Sequence, residues 1–407
     1  METIVFIGTN KSGSSREAMK ASERLGFFTV LITNKKQFLE QREEFTEVHQ
    51  MVFSNIIKEE LAENMIELQK QGKKIRLIVS FVDPYVHIAA ALNERFTDST
   101  VSSKQFLDME DKIRTRNMLK HLPQSPYFSV YNPEESVSGF IKKINTRFPL
   151  IVKSPVSAGS KDVLYIKSKF ELQMAILGLS KKYQNTPILV EEYLIGPQYL
   201  IEVIVHNGKI NIAAVIKQEI TFDQRFIVTG YSLCTEMDSR LHESIRDSVD
   251  LIVGAFKMEN GACHVEMKLV NGNWKLIEIN PRISGGAMNR MIEAGYGINL
   301  VEETLKLYLG GTPELTRKHN KFVYVHYITI DKSGRLQNVT GTGRALKHPG
   351  VAEVFIKPRK GKMLRPPLSM GDRYGYVMAE ADSYASARKA ALEAAKEISF
   401  NLESDHV

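Results

Sequence analysis

Cysteine, tryptophan and long apolar runs are scarce in this chain, and each scarcity excludes something. Cys234 and Cys263 are the only cysteines among 407 residues, too few for a disulfide framework or a thiolate metal site, and they fit a reducing compartment. No stretch reaches the apolar length a bilayer-spanning helix needs, and Met1-Glu2-Thr3-Ile4-Val5-Phe6 runs into a strand without a basic leader, so the expectation is a cytoplasmic protein with no membrane partner. The first strand-to-helix turn, Thr9-Asn10-Lys11-Ser12-Gly13-Ser14-Ser15, is neither Gly-x-Gly-x-x-Gly nor Walker A. Its residues alone therefore do not support a nucleotide site there. Concentrated positive charge is missing too. The net charge is +7, but basic and acidic residues are interleaved, and the densest patch, Lys357, Arg359, Lys360, Lys362 and Arg365, is broken by Pro358, Gly361 and Pro366. That pattern reads as a solvated loop, not a nucleic-acid surface, and an anionic substrate would account for some of the excess.

What is present is an ordinary globular composition, 43% hydrophobic and 25% charged, in a chain long enough for two or three domains. Thr3–Gly8 reads as a buried strand, followed by a helix through Leu25 and a strand at Phe28–Ile32, a β-α-β start. A second unit follows, with Lys74–Ser80 as strand and Asp83-Pro84-Tyr85 opening a helix to Leu92. Phe106–Leu119 reads as one charged helix. Phe148–Pro155 is a strand with Lys153 near its end, leading into the small-residue loop Val156-Ser157-Ala158-Gly159-Ser160-Lys161, where backbone N–H groups and hydroxyls can approach phosphate oxygens. Pro187–Glu192 breaks at a turn before the strand Gln198–Val205. Leu241, Ile245, Val249, Ile252 and Phe256 recur at helical spacing. Beyond Gly310-Gly311 the pattern becomes β-rich, with a closing helix over Tyr384–Phe400.

The chain is organised around residues 264–290. Val265–Leu269 and Trp274–Asn280 alternate apolar and polar residues, and Asn271-Gly272 supplies a tight reversal, so the stretch reads as a hairpin. Alternation points Glu278 and Asn280 the same way, and pairing sets Glu266 beside them. Two carboxylates and an amide on rigid strands suit Mg²⁺ shared with nucleotide phosphates. Arg282 adds a planar fork for phosphate or carboxylate. An amphipathic hairpin with a solvated acidic face is the competing reading.

Taken in order, Lys112, the Val152-Lys153-Ser154-Pro155 strand with its loop, Glu191-Glu192-Tyr193-Leu194, and Glu266 with Glu278-Ile279-Asn280-Pro281-Arg282 resemble the ATP-grasp superfamily over nearly the whole chain. Gly261–Leu269 and Asn280-Pro281-Arg282-Ile283-Ser284-Gly285-Gly286 are most similar to L-amino acid ligases that make dipeptides, with carnosine-synthase-type enzymes close by. The resemblance implies an α/β and α+β protein with the ATP-grasp fold. Its parts are a Rossmann-like α/β domain over 1–100, the ATP-grasp region over 101–309 with a lid at about 145–205, and a β-rich C-terminal module over 310–407. ATP and Mg²⁺, or Mn²⁺ in its place, are the implied cofactors, amino acids the small-molecule substrates, and a homodimer the implied assembly. Lys112 and Lys153 are implied at the ATP phosphates, Ser160 in the lid loop, Glu191 at the adenine amino group, and Glu192 and Leu194 with backbone groups at the ring. Glu266, Glu278 and Asn280 match metal ligands, and Arg282 matches the arginine that steadies the acyl phosphate, aided by backbone N–H groups of Ser284, Gly285 and Gly286.

Departures bear on the substrate. Gln198 stands where many relatives carry a glutamate for the ribose. Val228-Thr229-Gly230-Tyr231 replaces a Glu-x-Gly-His pattern, which suggests a different amino-acid pocket, with Tyr231, Arg282 and Met288 as its candidate residues. The alternatives are an ATP-grasp carboxylase of the biotin-carboxylase or purine-biosynthesis type, and a non-catalytic ATP-binding protein.

Overall fold

Short apolar strands alternating with amphipathic helices at the start of the chain build a wholly parallel sheet in the order Gln50–Phe53, Phe28–Thr33, Glu2–Ile7, Lys74–Val79. The two central strands, Phe28–Thr33 and Glu2–Ile7, are buried on both faces along nearly their whole length, as a doubly covered parallel sheet requires. The computed structural model describes residues 1–144, 148–154, 162–222 and 226–403.

The expected single helix over Phe106–Leu119 is instead two, Ser103–Glu110 and Lys112–Leu119. Asp111 is the reason. Its backbone is extended and its carboxylate accepts from the amides of Ile113 and Arg114 at 2.9 and 3.0 Å, capping the second helix. Lys112 thereby stands at the first position of a new helix.

Among the described residues, eight antiparallel strands form the largest sheet, in the order Asn273–Asn280, Gly261–Val270, Gln198–His206, Lys209–Phe222, Phe226–Leu233, Phe322–Ile328, Gly375–Ala381, Val351–Ile356. Strands from both sides of residue 310 share it, so the C-terminal module continues the central sheet. The helix Ser239–Gly254 covers it with Ile245, Val249, Ile252 and Val253, an i, i+4, i+7 stripe. The closing helix ends earlier than the sequence suggests, at Lys396, and buries Ala387, Ala391 and Ala394. Phe400 lies in a strand, Ser399–Glu403.

A smaller antiparallel sheet, Phe128–Tyr131, Ile188–Glu192, Leu150–Lys153, Val163–Ile166, has its own core around Leu150, Val152, Leu172 and Ile176. The hairpin Gly261–Val270 and Asn273–Asn280 is longer than its alternation suggests, and its register sets Glu266 opposite Glu278 and His264 opposite Asn280. Asn271 and Gly272 turn it at φ +49° and +79°, the left-handed pair of a tight reversal.

A second glycine matters by approach. At Gly13 (φ +81°) an added Cβ would lie 2.8 Å from the Gly286 nitrogen, so the N-terminal loop packs backbone to backbone on the Gly-rich turn, whereas at Gly272 a Cβ would meet nothing within 4 Å. Gly13→Ala is expected to destabilise by about 2–3 kcal/mol and Gly272→Ala by about 1 kcal/mol. Urea unfolding of the two variants checks this; equal losses would contradict the packing argument.

Candidate active site

A cleft of about 870 Å³ opens where the parallel sheet, the small sheet, the central sheet and the C-terminal module meet, lined among others by Asp83, Lys112, Lys153, Glu191, Glu278, Arg282 and Arg373. At its floor is the hairpin. One ligand atom from each of His264, Glu266 and Glu278 lies within 4.8 Å of the others. Burial, and then the neighbouring Glu278, push the Glu266 carboxyl up to about 8. Burial also opposes charge on Glu278, but Lys112 and Lys153 outweigh it and hold Glu278 below the ordinary carboxylate range. The pair thus carries one proton where a divalent cation would supply more charge. Asn280 Nδ2 donates to Glu278 Oε1 at 3.1 Å and lies 3.2 Å from His264 Nε2.

His264 was not singled out in the sequence. Its Nδ1 lies 2.9 Å from the Arg282 carbonyl. A carbonyl only accepts, so Nδ1 carries the proton and Nε2 presents its lone pair to the cluster. Burial, and then Arg282, push its pKa down to about 4, keeping the ring neutral. Glu266 and Glu278 supply the hard oxygens that a magnesium-like ion takes, with Asn280 and His264 beside them.

Arg282 is held by a residue that the sequence reading treated as a helix start. Its Nε donates to Asp83 Oδ1 at 2.8 Å, Nη2 pairs with Asp83 Oδ2, and Nη1 donates to the Ile283 carbonyl at 3.1 Å. Burial would raise Asp83, but Arg282 holds its carboxyl below the usual range. A guanidinium has five N–H groups, so Nη1 and Nη2 each keep one directed away from these bonds.

Three of the expected residues have partners within the protein. Glu191 is buried with Lys153 Nζ at 2.5 Å from Oε2 and Arg116 Nε on Oε1. Both oxygens accept from cations, so the carboxylate anchors Lys153. Burial lowers the Lys153 pKa even so. Arg116, which the sequence did not flag, also donates to the Ile277 carbonyl at 2.6 Å and so ties this pair to the hairpin. Gln198 lines the cleft and its Nε2 donates to Gln218 at 2.6 Å and to Glu266 at 3.1 Å, orienting that carboxylate. Ser284 gives its N–H to Glu202 at 3.2 Å and its hydroxyl to the same carboxylate. It is not available to an oxyanion, which leaves the Gly285 and Gly286 amides for that task. Ser14 Oγ donates to the Ser284 carbonyl at 2.5 Å, joining the N-terminal unit to the same turn.

The remaining expected residues fall as follows. Glu192 accepts from the Tyr127 amide at 2.8 Å and donates its own amide to the Tyr127 carbonyl at 3.1 Å. The Leu194 carbonyl accepts from Lys268 Nζ at 3.0 Å. Both line the cleft beside Tyr193, which stacks on Phe226 at 5.8 Å. Tyr231 and Met288 are buried in its wall near the C-terminal module. Ser160 lies outside the described residues.

Matches to known families coincide with these parts. An ATP-grasp N-terminal domain model matches residues 19–96, an ATP-grasp domain model 146–290, and an L-amino acid ligase C-terminal domain 2 model 326–403. The chain belongs to the ATP-grasp superfamily. Within that class its likeness lies with the L-amino acid ligases. An L-arginine-specific L-amino acid ligase of Bacillus subtilis is 21% identical over 74% of this chain and 73% of its own length. The uncharacterized protein y4rH of Sinorhizobium fredii is 26% identical over 62% of the chain, and the match spans about half of that relative's length, 53%. An L-amino acid ligase from Bacillus licheniformis has the same fold, with a TM-score of 0.86 at 17% identity over 99% of both chains. The fold is also that of N5-carboxyaminoimidazole ribonucleotide synthetase from Thermotoga maritima, at TM-score 0.71 and 16% identity over 99% of this chain and 100% of that one.

Glu202 gives the site a pH signature. Fully buried on a strand buried along nearly its whole length, it is pushed by burial from 4.5 up to about 7. A carboxyl raised in the folded state adds stability that is complete below its unfolded pKa and lost as pH rises through 7. The stability of the wild type relative to Glu202→Gln is therefore expected to fall by roughly 3 kcal/mol between pH 4.5 and 7. Urea titrations of both proteins across that window check it; a constant difference would contradict a neutral Glu202.

Proposed function

We propose that the chain is an ATP-dependent carboxylate–amine ligase that joins two L-amino acids into a dipeptide. The observation that carries this is the half-buried Glu266–Glu278 pair facing Lys112, Lys153 and Arg282 in one cleft, read together with the L-amino acid ligase match at the C-terminal end. Fold alone would not select the substrate.

A carboxylate is a poor electrophile. In the proposed reaction a carboxylate oxygen of the first amino acid attacks the γ-phosphorus of ATP, the bond to the β,γ-bridging oxygen breaks, and ADP leaves. The amine of the second amino acid attacks the resulting acyl phosphate, loses a proton, and expels inorganic phosphate as the amide forms. Lys153, fixed by Glu191, and Lys112 hold phosphate oxygens. Arg282, clamped by Asp83, directs its remaining N–H groups to the acyl phosphate, while the Gly285 and Gly286 amides receive the developing oxyanion. Mg²⁺ held by Glu266, Glu278 and Asn280, with His264 beside them, supplies charge neutralisation for the phosphoryl oxygens. The cleft wall formed by Tyr193, Leu194 and Phe226 receives the adenine, with backbone groups at Glu192 and Leu194 along its edge. The small sheet acts as the lid that keeps water from the acyl phosphate. The reading divides the chain into units over 1–100, 101–309 and 310–407, takes amino acids as its partners, and is set in the cytoplasm. Among the described residues no helix is long and apolar enough to cross a membrane.

The purified chain with Mg²⁺, ATP and pooled L-amino acids is expected to form ADP and phosphate only when amino acids are present, alongside a dipeptide mass. Glu278→Ala is expected to lower the turnover by roughly 10³-fold. Asp83→Asn is expected to lower kcat roughly 10- to 100-fold with the KM for ATP little changed, since it loosens Arg282 and leaves the lysines in place. Turnover stimulated by bicarbonate and indifferent to amino acids would replace this reading with a carboxylase, and ATP binding without turnover would replace it with a binding protein.

A further inference from the structure

Arg373 enters the cleft from the C-terminal module, and every partner it has there is neutral. Its Nε donates to the Met370 carbonyl at 3.3 Å, and Nη1 donates to the Val228 carbonyl at 3.1 Å and to the Tyr231 hydroxyl at 3.3 Å. Its guanidinium carbon sits 3.8 Å from the Tyr327 ring centroid. The carboxylate next to it in sequence, Asp372, is turned away, onto Arg365 and the amides of Leu368 and Ser369. The other arginines of the cleft are ion-paired, Arg282 with Asp83 and Arg116 with Glu191. Among the described residues no carboxylate forms an ion pair with Arg373, and Glu266 acts on it only from a longer range. A half-buried guanidinium set against carbonyls and a ring face is poorly compensated unless an anion completes it.

Resting on the dipeptide reading, we infer that Arg373 and Tyr231 bind the free carboxylate of the amine substrate, the amino acid that is not activated. Tyr231 accepts from Arg373 and keeps its own O–H to donate, so Nη2 and the phenol offer two donors side by side. Met288 and Met370 provide an apolar wall beside them. The assignment to the amine substrate follows from charge. Two amino acids bring two carboxylates, and only one is to be phosphorylated. The one bound for activation goes to Lys112, Lys153 and Arg282, next to the ATP phosphates. The other would be repelled by those phosphates or compete for activation unless a separate cation holds it aside. Among the described residues Arg373 is the arginine lining the cleft that no carboxylate pairs, and it also fixes which amine faces the acyl carbon.

The test uses the amino-acid pair found with the pooled mixture, and compares the acceptor amino acid with its primary amide, which has no carboxylate. The wild type is expected to favour the acid over the amide in kcat/KM by roughly 10- to 100-fold. R373M is expected to lose that preference, through a higher KM for the acid, while the KM for ATP stays put; R373K is expected to restore part of it. A wild type indifferent to the carboxylate, or an R373M that keeps the preference, overturns the inference. Should R373M fail to fold, Y231F carries the test, with an expected loss of several-fold in the preference, and an unchanged preference overturns it. A wild type with no amino-acid-dependent turnover sinks the dipeptide reading instead. Arg373 is then judged by calorimetric binding of the pooled L-amino acids in the presence of Mg²⁺ and a non-hydrolysable ATP analogue. Binding present in the wild type and lost in R373M supports the site; binding equal in both, or absent from both, overturns it.

Discussion

Two glutamates facing one another across a hairpin, both half-buried at the floor of a cleft, are the constraint on which the rest of this structure depends. Glu266 and Glu278 are paired in register, and at close range in a low-dielectric interior two negative charges are unstable without compensation. The chain meets that demand from every side. Lys112 arrives because Asp111 breaks a helix and restarts it, Lys153 arrives at the end of a strand of the small sheet, and Arg282 follows the hairpin itself. Gln198 and Gln218 complete the ring with hydrogen bonds to Glu266. The compensating charges come from separate elements, so the cleft is assembled only when those elements pack.

The contribution of the N-terminal unit is structural at this point and chemical at the next. Asp83 clamps Arg282, Ser14 donates to the Ser284 carbonyl, and Gly13 touches Gly286. None of these residues belongs to a nucleotide-binding fingerprint, in keeping with the absence of one in the first turn. Their effect is to fix the conformation of residues 282–286, which is what preorganised donors require if they are to stabilise developing charge without first moving.

Much of this was legible in the sequence because it is written in periodicity. Period-two alternation with Asn-Gly at the turn gave the hairpin and the convergence of Glu266, Glu278 and Asn280, and β-α-β alternation gave the parallel sheet. What was not legible lies in single side chains in unremarkable surroundings. Asp83 looked like a helix start, and its partner stands 199 residues further on. Arg116 sat in a charged helix, where arginine is ordinary. Arg373 belongs to a turn whose approach to the cleft depends on the central sheet continuing past residue 310. Glu202 left a weak signal: an acid inside an otherwise apolar strand implies either an exposed face or a buried partner, and Ser284 is that partner. The partners of Glu191 and Ser284 were hidden for the same reason, since their hydrogen bonds are made to residues far away in sequence.

We propose that the Glu266–Glu278 pair is a divalent-cation site completed by nucleotide phosphates. The most direct measurement is Mn²⁺ binding followed by electron paramagnetic resonance, with and without ATP, in the wild type and in Glu278→Gln. Tight Mn²⁺ binding that requires ATP and is lost in Glu278→Gln is the predicted result. Mn²⁺ binding to the protein–ATP complex that is equally tight in Glu278→Gln would contradict it.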